Sequence, residues 1–149
     1  MIDIPYGDPS NYESIVIAKE KILLGIPSDW TYQKSTADIK NFSDKPFIML
    51  TERQFLGKLG RKLCIKSGFS PKIFMECHNL ETVYSMIKHG FGVSFIPEMF
   101  AKNLADNDKM KCFEIENFKP EREIAVVYNK NNYLPKPAKR LIEILKETF

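Results

Sequence analysis

Residues 79–97 read NLETVYSMIKHGFGVSFIP. Asn79 has the short polar side chain that suits the N-cap of a helix. Leu80, Val83, Tyr84, Ile87 and Phe91 then fall at i, i+3, i+4, i+7 and i+11, one continuous apolar face. Glu81 suits the positive end of the helix dipole, and Lys88 and His89 suit the negative end. Gly90 can take the left-handed conformation that stops a helix. GVSFI follows as a strand, and Pro97 begins a further helical piece, PEMFAKNL. Helix followed directly by strand predicts an α/β domain, provided the alternation continues on both sides.

Upstream it does. PFIML at 46–50 is a short apolar run between turn signals, the pattern of a strand buried on both faces. TERQFLGKLGRKLCIKSG predicts a helix, with Phe55, Leu56, Leu59 and Leu63 as its apolar stripe and Gly68 as its stop. Thr51 and Gln54 have the spacing of a capping box, which starts the helix at Thr51. KIFMEC at 72–77 is a strand. Further back, SIVIAKEKILLGIP (Ser14 to Pro27) reads as extended chain, two apolar runs joined by the charged KEK, and residues 1–13 read as irregular. Residues 28–45 are mostly loop, with one or two helical turns in TADIKNF. Downstream come a strand at 111–116, a longer one in REIAVVYN, and a helix in LPKPAKRLIEILKETF. Ala138, Leu141, Ile142, Leu145 and Phe149 line one face of that helix. The expected class is α/β, with a mixed, mostly parallel sheet flanked by helices.

The 149 residues suffice for one domain or two small lobes. With 44% hydrophobic and 28% charged residues the composition is that of an ordinary globular chain. The net charge of +3 is small, and Lys and Arg are interleaved with Asp and Glu, as on a solvated face and unlike a nucleic-acid stripe. No apolar run approaches the roughly 20 residues that span a bilayer, and MIDIPYGDPSNYE is acidic where a signal peptide is basic. The expected location is the cytoplasm, with no membrane partner. Cys64, Cys77 and Cys112 are odd in number and widely spaced, the pattern of reduced thiols, buried as small apolar groups or, as the less common alternative, forming a redox-sensing pair.

Catalytic motifs are thin. The chain has no GxSxG, no Walker loop, no HExxH and no GxGxxG. Gly90 and Gly92 give GxG, but after a helix and before a strand, the reverse of the dinucleotide-binding order. His78 and His89 sit at opposite ends of one helix, so they cannot share a metal, and each reads as a capping or dipole partner. What remains is a binding architecture. Two helices each follow a short buried strand, and in an open α/β sheet the carboxyl ends of the strands gather helix N-termini where ligands bind. Such termini favour an anion such as a carboxylate. Gln54 and Phe55 fit there as amide donor and apolar wall, or else simply cap and pack.

These residues carry a resemblance. PFIML, then GRKLCIKSGFSPKIFMECHNLETVYSMIKHGFGVSFIPE, is similar to the second effector-binding subdomain of LysR-type transcriptional regulators. The matching elements are a "pfi" strand at Pro46–Ile48, "G-x-x-P" at Gly68–Pro71, "ET" at Glu81–Thr82, and a helix closing on two glycines and a proline at Ile87–Pro97. Ile87-Lys88-His89 replaces the more usual Val-Ala-Ala, and Phe91 is often Leu. IDIPY near the start and the tail from Arg122 resemble the family's two crossing strands and last helix, so the likeness covers essentially the whole chain.

The resemblance implies a type 2 periplasmic-binding-protein-like lobe and a two-lobed clamp with a small effector in its cleft. Residues 1–13 would end the first lobe and form a hinge. Residues 14–122 would be the second effector-binding subdomain, and 123–149 the returning hinge strand and C-terminal helix of the first lobe. Thr51, Gln54, Phe55, Leu56, Phe95, Ile96, Pro97 and Tyr6 would bind the effector, a small organic molecule of anionic type. No cofactor, metal or catalytic residue is implied, so no enzyme is expected. The winged helix-turn-helix of the family has no counterpart in 1–13, and DNA would be reached only through a domain outside this chain. With half the pocket missing, effector affinity should be weak. The last helix would expose Leu141, Leu145 and Phe149, which predicts a homodimer or a swapped tail. The other reading is a solute-binding protein or an enzyme using the same clamp; the one should be exported, the other should show convergent acid–base groups.

Overall fold

A single strand, β1 (Tyr12–Pro27), runs for 16 residues through the charged KEK without a break. Each charge there faces an opposite one: Lys19 meets Glu123 at 2.9 Å, Glu20 meets Arg122 at 2.5 Å and Lys21 meets Glu114 at 2.5 Å. The computed structural model describes residues 9–104 and 109–148. A 3-10 turn at Pro9–Asn11 precedes β1, which begins two residues ahead of the expected Ser14. Two units form along the chain: Met1–Glu20 with Glu121–Phe149, and Lys21–Pro120. Their limits fall at 20/21 and 120/121.

In the unit Lys21–Pro120, β2 (Thr36–Ala37) follows the loop and precedes a 3-10 turn at Ile39–Phe42, the helical turn expected in TADIKNF. Then come β3 (Pro46–Leu50), α1 (Phe55–Lys66), β4 (Lys72–Cys77), α2 (Leu80–Lys88), β5 (Ser94–Pro97), α3 (Glu98–Lys102) and β6 (Met110–Ile115). Two sheets form. β3 and β4 pair parallel as a two-stranded sheet, while the larger, mixed sheet runs β2-β6-β1-β5, with β2 and β6 parallel and β1 antiparallel to both β5 and β6. The parallel share is therefore smaller than the alternation suggested, because β1 runs opposite to both its neighbours in this unit. β3 is buried along nearly its whole length because α1 and α2 both pack on it. Phe47, Ile48, Met49, Val83, Ile87, Val93, Phe95 and Ile96 form the centre of the core.

The opening stretch folds as its signals dictate. The Asn79 side chain accepts the Thr82 N–H at 2.8 Å and caps α2. Gly90, at φ 81°, ends the helix, and a Cβ on Gly92 would come within 2.4 Å of the Pro46 carbonyl, so only glycine lets the chain pass β3 there. Phe91 departs from the expected stripe. The turn at Gly90 swings it off the helix face, and its ring stacks on exposed Phe74 at 5.8 Å.

In the other unit, β7 (Glu121–Asn129) pairs with β1, and α4 (Lys136–Thr148) follows. α4 buries Ile142 and half-buries Ala138 and Leu145, three residues of the expected stripe, but leaves Leu141 55% exposed; Phe149 lies outside the described residues. No helix among the described residues is long and apolar enough to cross a membrane.

Candidate functional site

β3 and β4 lie side by side in parallel, so the turns that follow them emerge at one edge. Two bonds stitch these turns together. The Thr51 N–H donates to the Cys77 carbonyl at 3.2 Å, and the Gln54 side-chain amide donates to the His78 carbonyl at 2.7 Å. The amino ends of α1 and α2 thus share a rim made by 51–55 and 78–80.

The expected capping box at Thr51 does not form. α1 begins at Phe55, with Gln54 as its N-cap in extended conformation and no side-chain bond to the first turn. Both residues of the box are drawn to tertiary partners instead. The consequence is an asymmetric rim. α2 has its Thr82 N–H capped by the Asn79 side chain, whereas α1 offers its leading N–H groups without a side-chain acceptor. Phe55, 37% exposed, stands beside that mouth.

Arg61 fastens the edge from below. Its Nη1 donates to the Leu50 and Gly57 carbonyls at 2.9 and 3.0 Å, its Nε sits 3.1 Å from Glu52, and its Nη2 pairs with Glu76. With only 12% of its side chain exposed and each of its three nitrogens on a partner, it secures β3, α1 and β4. Sequence reasoning passed over Arg61, whose partners on β3 and β4 lie far from it along the chain. The shallow groove of about 460 Å3 on the outer side of α1, lined by Glu52, Lys58, Arg61, Lys62, Ile65 and Lys66, is basic, but Glu52 and Arg61 already pair within it.

The residues named from sequence divide accordingly. Thr51, Gln54 and Phe55 are brought together on the rim. Leu56, Phe95, Ile96 and Pro97 are buried, Phe95 and Ile96 at 2% and 0% exposure, and in this structure they face core neighbours. Tyr6 lies outside the described residues. Among the described residues no group of three or more His, Cys, Asp or Glu could hold a metal. The three cysteines are free thiols. Burial pushes Cys64 up to about 12 and Cys112 up to about 11, and raises Cys77, so all three stay protonated and poorly nucleophilic near neutrality.

Three comparisons extend this picture. The family model described as "LysR substrate binding domain" matches residues 1–149. An uncharacterised HTH-type transcriptional regulator of Bacillus subtilis, YwbI, is 26% identical over 136 residues, covering 91% of this chain and 45% of its own length. The regulatory domain of CcmR from Synechocystis, solved in complex with 2-PG, superposes with a TM-score of 0.83 at 14% identity over 97% of this chain and 71% of its own. The effector-binding domain of QuiR, solved in complex with shikimate, gives 0.75 at 16% identity over 95% and 66%. This chain spans about half the length of the curated relatives it matches.

Proposed function

Because this chain belongs to the LysR substrate binding domain family, we propose that it serves as the effector-sensing part of a transcriptional regulator and takes a small organic anion at the 51–55 rim. The observation that carries the reading is the uncapped mouth of α1 beside exposed Phe55. Unpartnered N–H groups and the positive helix end attract a carboxylate, and an aromatic wall accepts its apolar body. QuiR, of similar fold, was solved with shikimate, a carboxylate of that size. Thr51, Gln54 and Phe55 touch the ligand directly in this reading. Leu56, Phe95, Ile96 and Pro97 shape the edge from the core. The role is binding, not catalysis, and it is exercised in the cytoplasm. An effector moves the regulator only by the difference between its contacts in two states, and DNA is reached through a separate domain.

Gln54→Asp tests the site. A carboxylate at the N-cap supplies the acceptor that α1 lacks and repels a second anion from the same N–H groups. Millimolar shikimate or benzoate should raise the melting temperature of the 149-residue chain, with a Kd on the order of 1 mM, about 4 kcal/mol of binding. In Gln54→Asp the shift should vanish while the fold survives. A shift that persists undiminished in the variant would place the anion elsewhere, and no shift with any small carboxylate would count equally against the site.

Leu141 and Ile144 are exposed on α4, which supports association of two copies through that helix. Sedimentation at rising concentration should show a dimer that Leu141→Lys returns to monomer; a monomer throughout would dismiss it.

A further inference from the structure

We propose that two facing charge triplets, Lys19-Glu20-Lys21 on β1 and Glu121-Arg122-Glu123 on β7, act as a code that sets the register between these strands, with buried Glu20 and its half-buried partner Arg122 as the positioning element. The pairing is traced by four contacts. The Lys130 N–H donates to the Asn11 carbonyl at 2.9 Å, Lys19 Nζ lies 2.9 Å from Glu123, Arg122 Nε lies 2.5 Å from Glu20, and the Ile22 N–H donates to the Pro120 carbonyl at 2.8 Å. The last three share one register, 19/123, 20/122 and 22/120, on an antiparallel course; the Lys130–Asn11 bond, just beyond the ends of both strands, lies one residue outside it.

In such a pair a slip of one residue turns every side chain to the opposite face, and burial of one apolar face normally forbids it. Here burial scarcely discriminates. None of residues 12–19 of β1 is buried and none of β7 is, and Ile124 to Asn129 are half-buried in succession instead of alternating. The one buried side chain among the described residues of 12–20 and 121–129 belongs to Glu20, at 3% exposure. A buried carboxylate tolerates its surroundings only with a close counterion.

The order of signs completes the argument. In the observed register opposite charges face each other at 19/123 and 20/122. Sliding β7 by one residue either way sets Glu121 or Glu123 against Glu20, and Arg122 against Lys21 or Lys19. Each slip therefore turns attraction into repulsion at two places, one of them shielded from water, where repulsion is strongest. Lys21 is further held by Glu114 of β6 at 2.5 Å, which anchors the triplet on its other side. The code sits at residues 20/21 and 120/121, where the chain passes from one unit to the other and back. A buried ion pair contributes little net stability compared with an apolar pair of the same shape, and the best-attested use of one is to specify register.

The double variant E20R/R122E isolates this role. It keeps composition, net charge and the opposite charges at 20/122, but it leaves three cations facing three anions, an arrangement attractive in every register. NMR of the native chain should give one set of amide signals for β1 and β7, with cross-strand contacts matching the four above. The exchanged variant should give two or more sets for residues 12–20 and 121–129, with unchanged signals from 30–100. Hydrogen-exchange protection of the Ile22 and Lys130 amides should fall about tenfold or more. One set of signals with native contacts would overturn the proposal, since a pair that merely stabilises would survive the exchange. E20Q/R122Q, which removes the charge without reversing it, makes the same demand if the exchanged protein does not fold: a single native register there also overturns it.

Discussion

Gly57→Ala should cost the Lys21–Pro120 unit at least about 3 kcal/mol, at the upper end of what overpacking a core produces. A Cβ built on Gly57 lies 2.1 Å from the Thr51 carbonyl oxygen, 2.4 Å from that of Leu50 and 2.7 Å from the Thr51 carbonyl carbon. All three are backbone atoms, so no rotamer change relieves the clash. The first turn of α1 rests directly on the chain as it leaves β3, and Arg61 bridges the Leu50 and Gly57 carbonyls across that contact. A methyl group must therefore part α1 from β3 and loosen Arg61 as well. Urea unfolding should show a lowered midpoint with an unchanged slope. The rim residues Thr51, Gln54 and Phe55 ride on the same turn, so anion binding should weaken even at temperatures where the variant stays folded. A loss below about 1 kcal/mol, within reach of an ordinary surface change, would mean that the turn and helix are not in backbone contact.

That contact also marks the limit of what the sequence discloses. Strands at 46–50 and 72–77 and helices at 55–66 and 80–88 were legible because local groups close each of them. Asn79 caps, Gly68 and Gly90 take positive φ at 90° and 81°, and Pro46 and Pro97 bound their strands. The errors arose where a residue with a plausible local role had a better distant partner. Thr51 and Gln54 have capping-box spacing, yet the carbonyls of Cys77 and His78, more than twenty residues away, claim their donors. Phe91 obeys the helical period but lies beyond a left-handed turn, which no periodicity count registers. Arg61 is invisible in sequence because its partners, Leu50, Glu52, Gly57 and Glu76, converge only when β3, α1 and β4 are in place. The antiparallel setting of β1 was hidden for the same reason: its partners lie about 70 to 110 positions away along the chain. The site itself was half legible. Helix ends at a sheet edge could be read from spacing, but which of them is left uncapped could not.

The sharpest separation between the two kinds of site residue comes from Phe95. It was assigned to the effector through the family resemblance, yet its ring is 2% exposed and lies over Phe47 with centroids 6.1 Å apart, and the space above Gly60 is filled by its edge. Truncation to Ala should therefore cost about 3–5 kcal/mol, as large-to-small changes at buried aromatics do. Gly60, Met49 and Phe47 cannot close the void without moving α1 from β3, so the loss should fall near the top of that range. Phe95→Leu retains most of the volume and should cost about 1.5 kcal/mol or less. The two variants then decide the role. If Phe95 only shapes the core, Phe95→Leu keeps anion affinity within about twofold, a difference near 0.4 kcal/mol, while Phe55→Ala on the exposed rim lowers it severalfold with little change in the unfolding midpoint. If instead Phe95→Leu abolishes binding while stability holds, the buried ring reaches the ligand in some opened state. The uncapped mouth of α1 would then be only one wall of a deeper pocket.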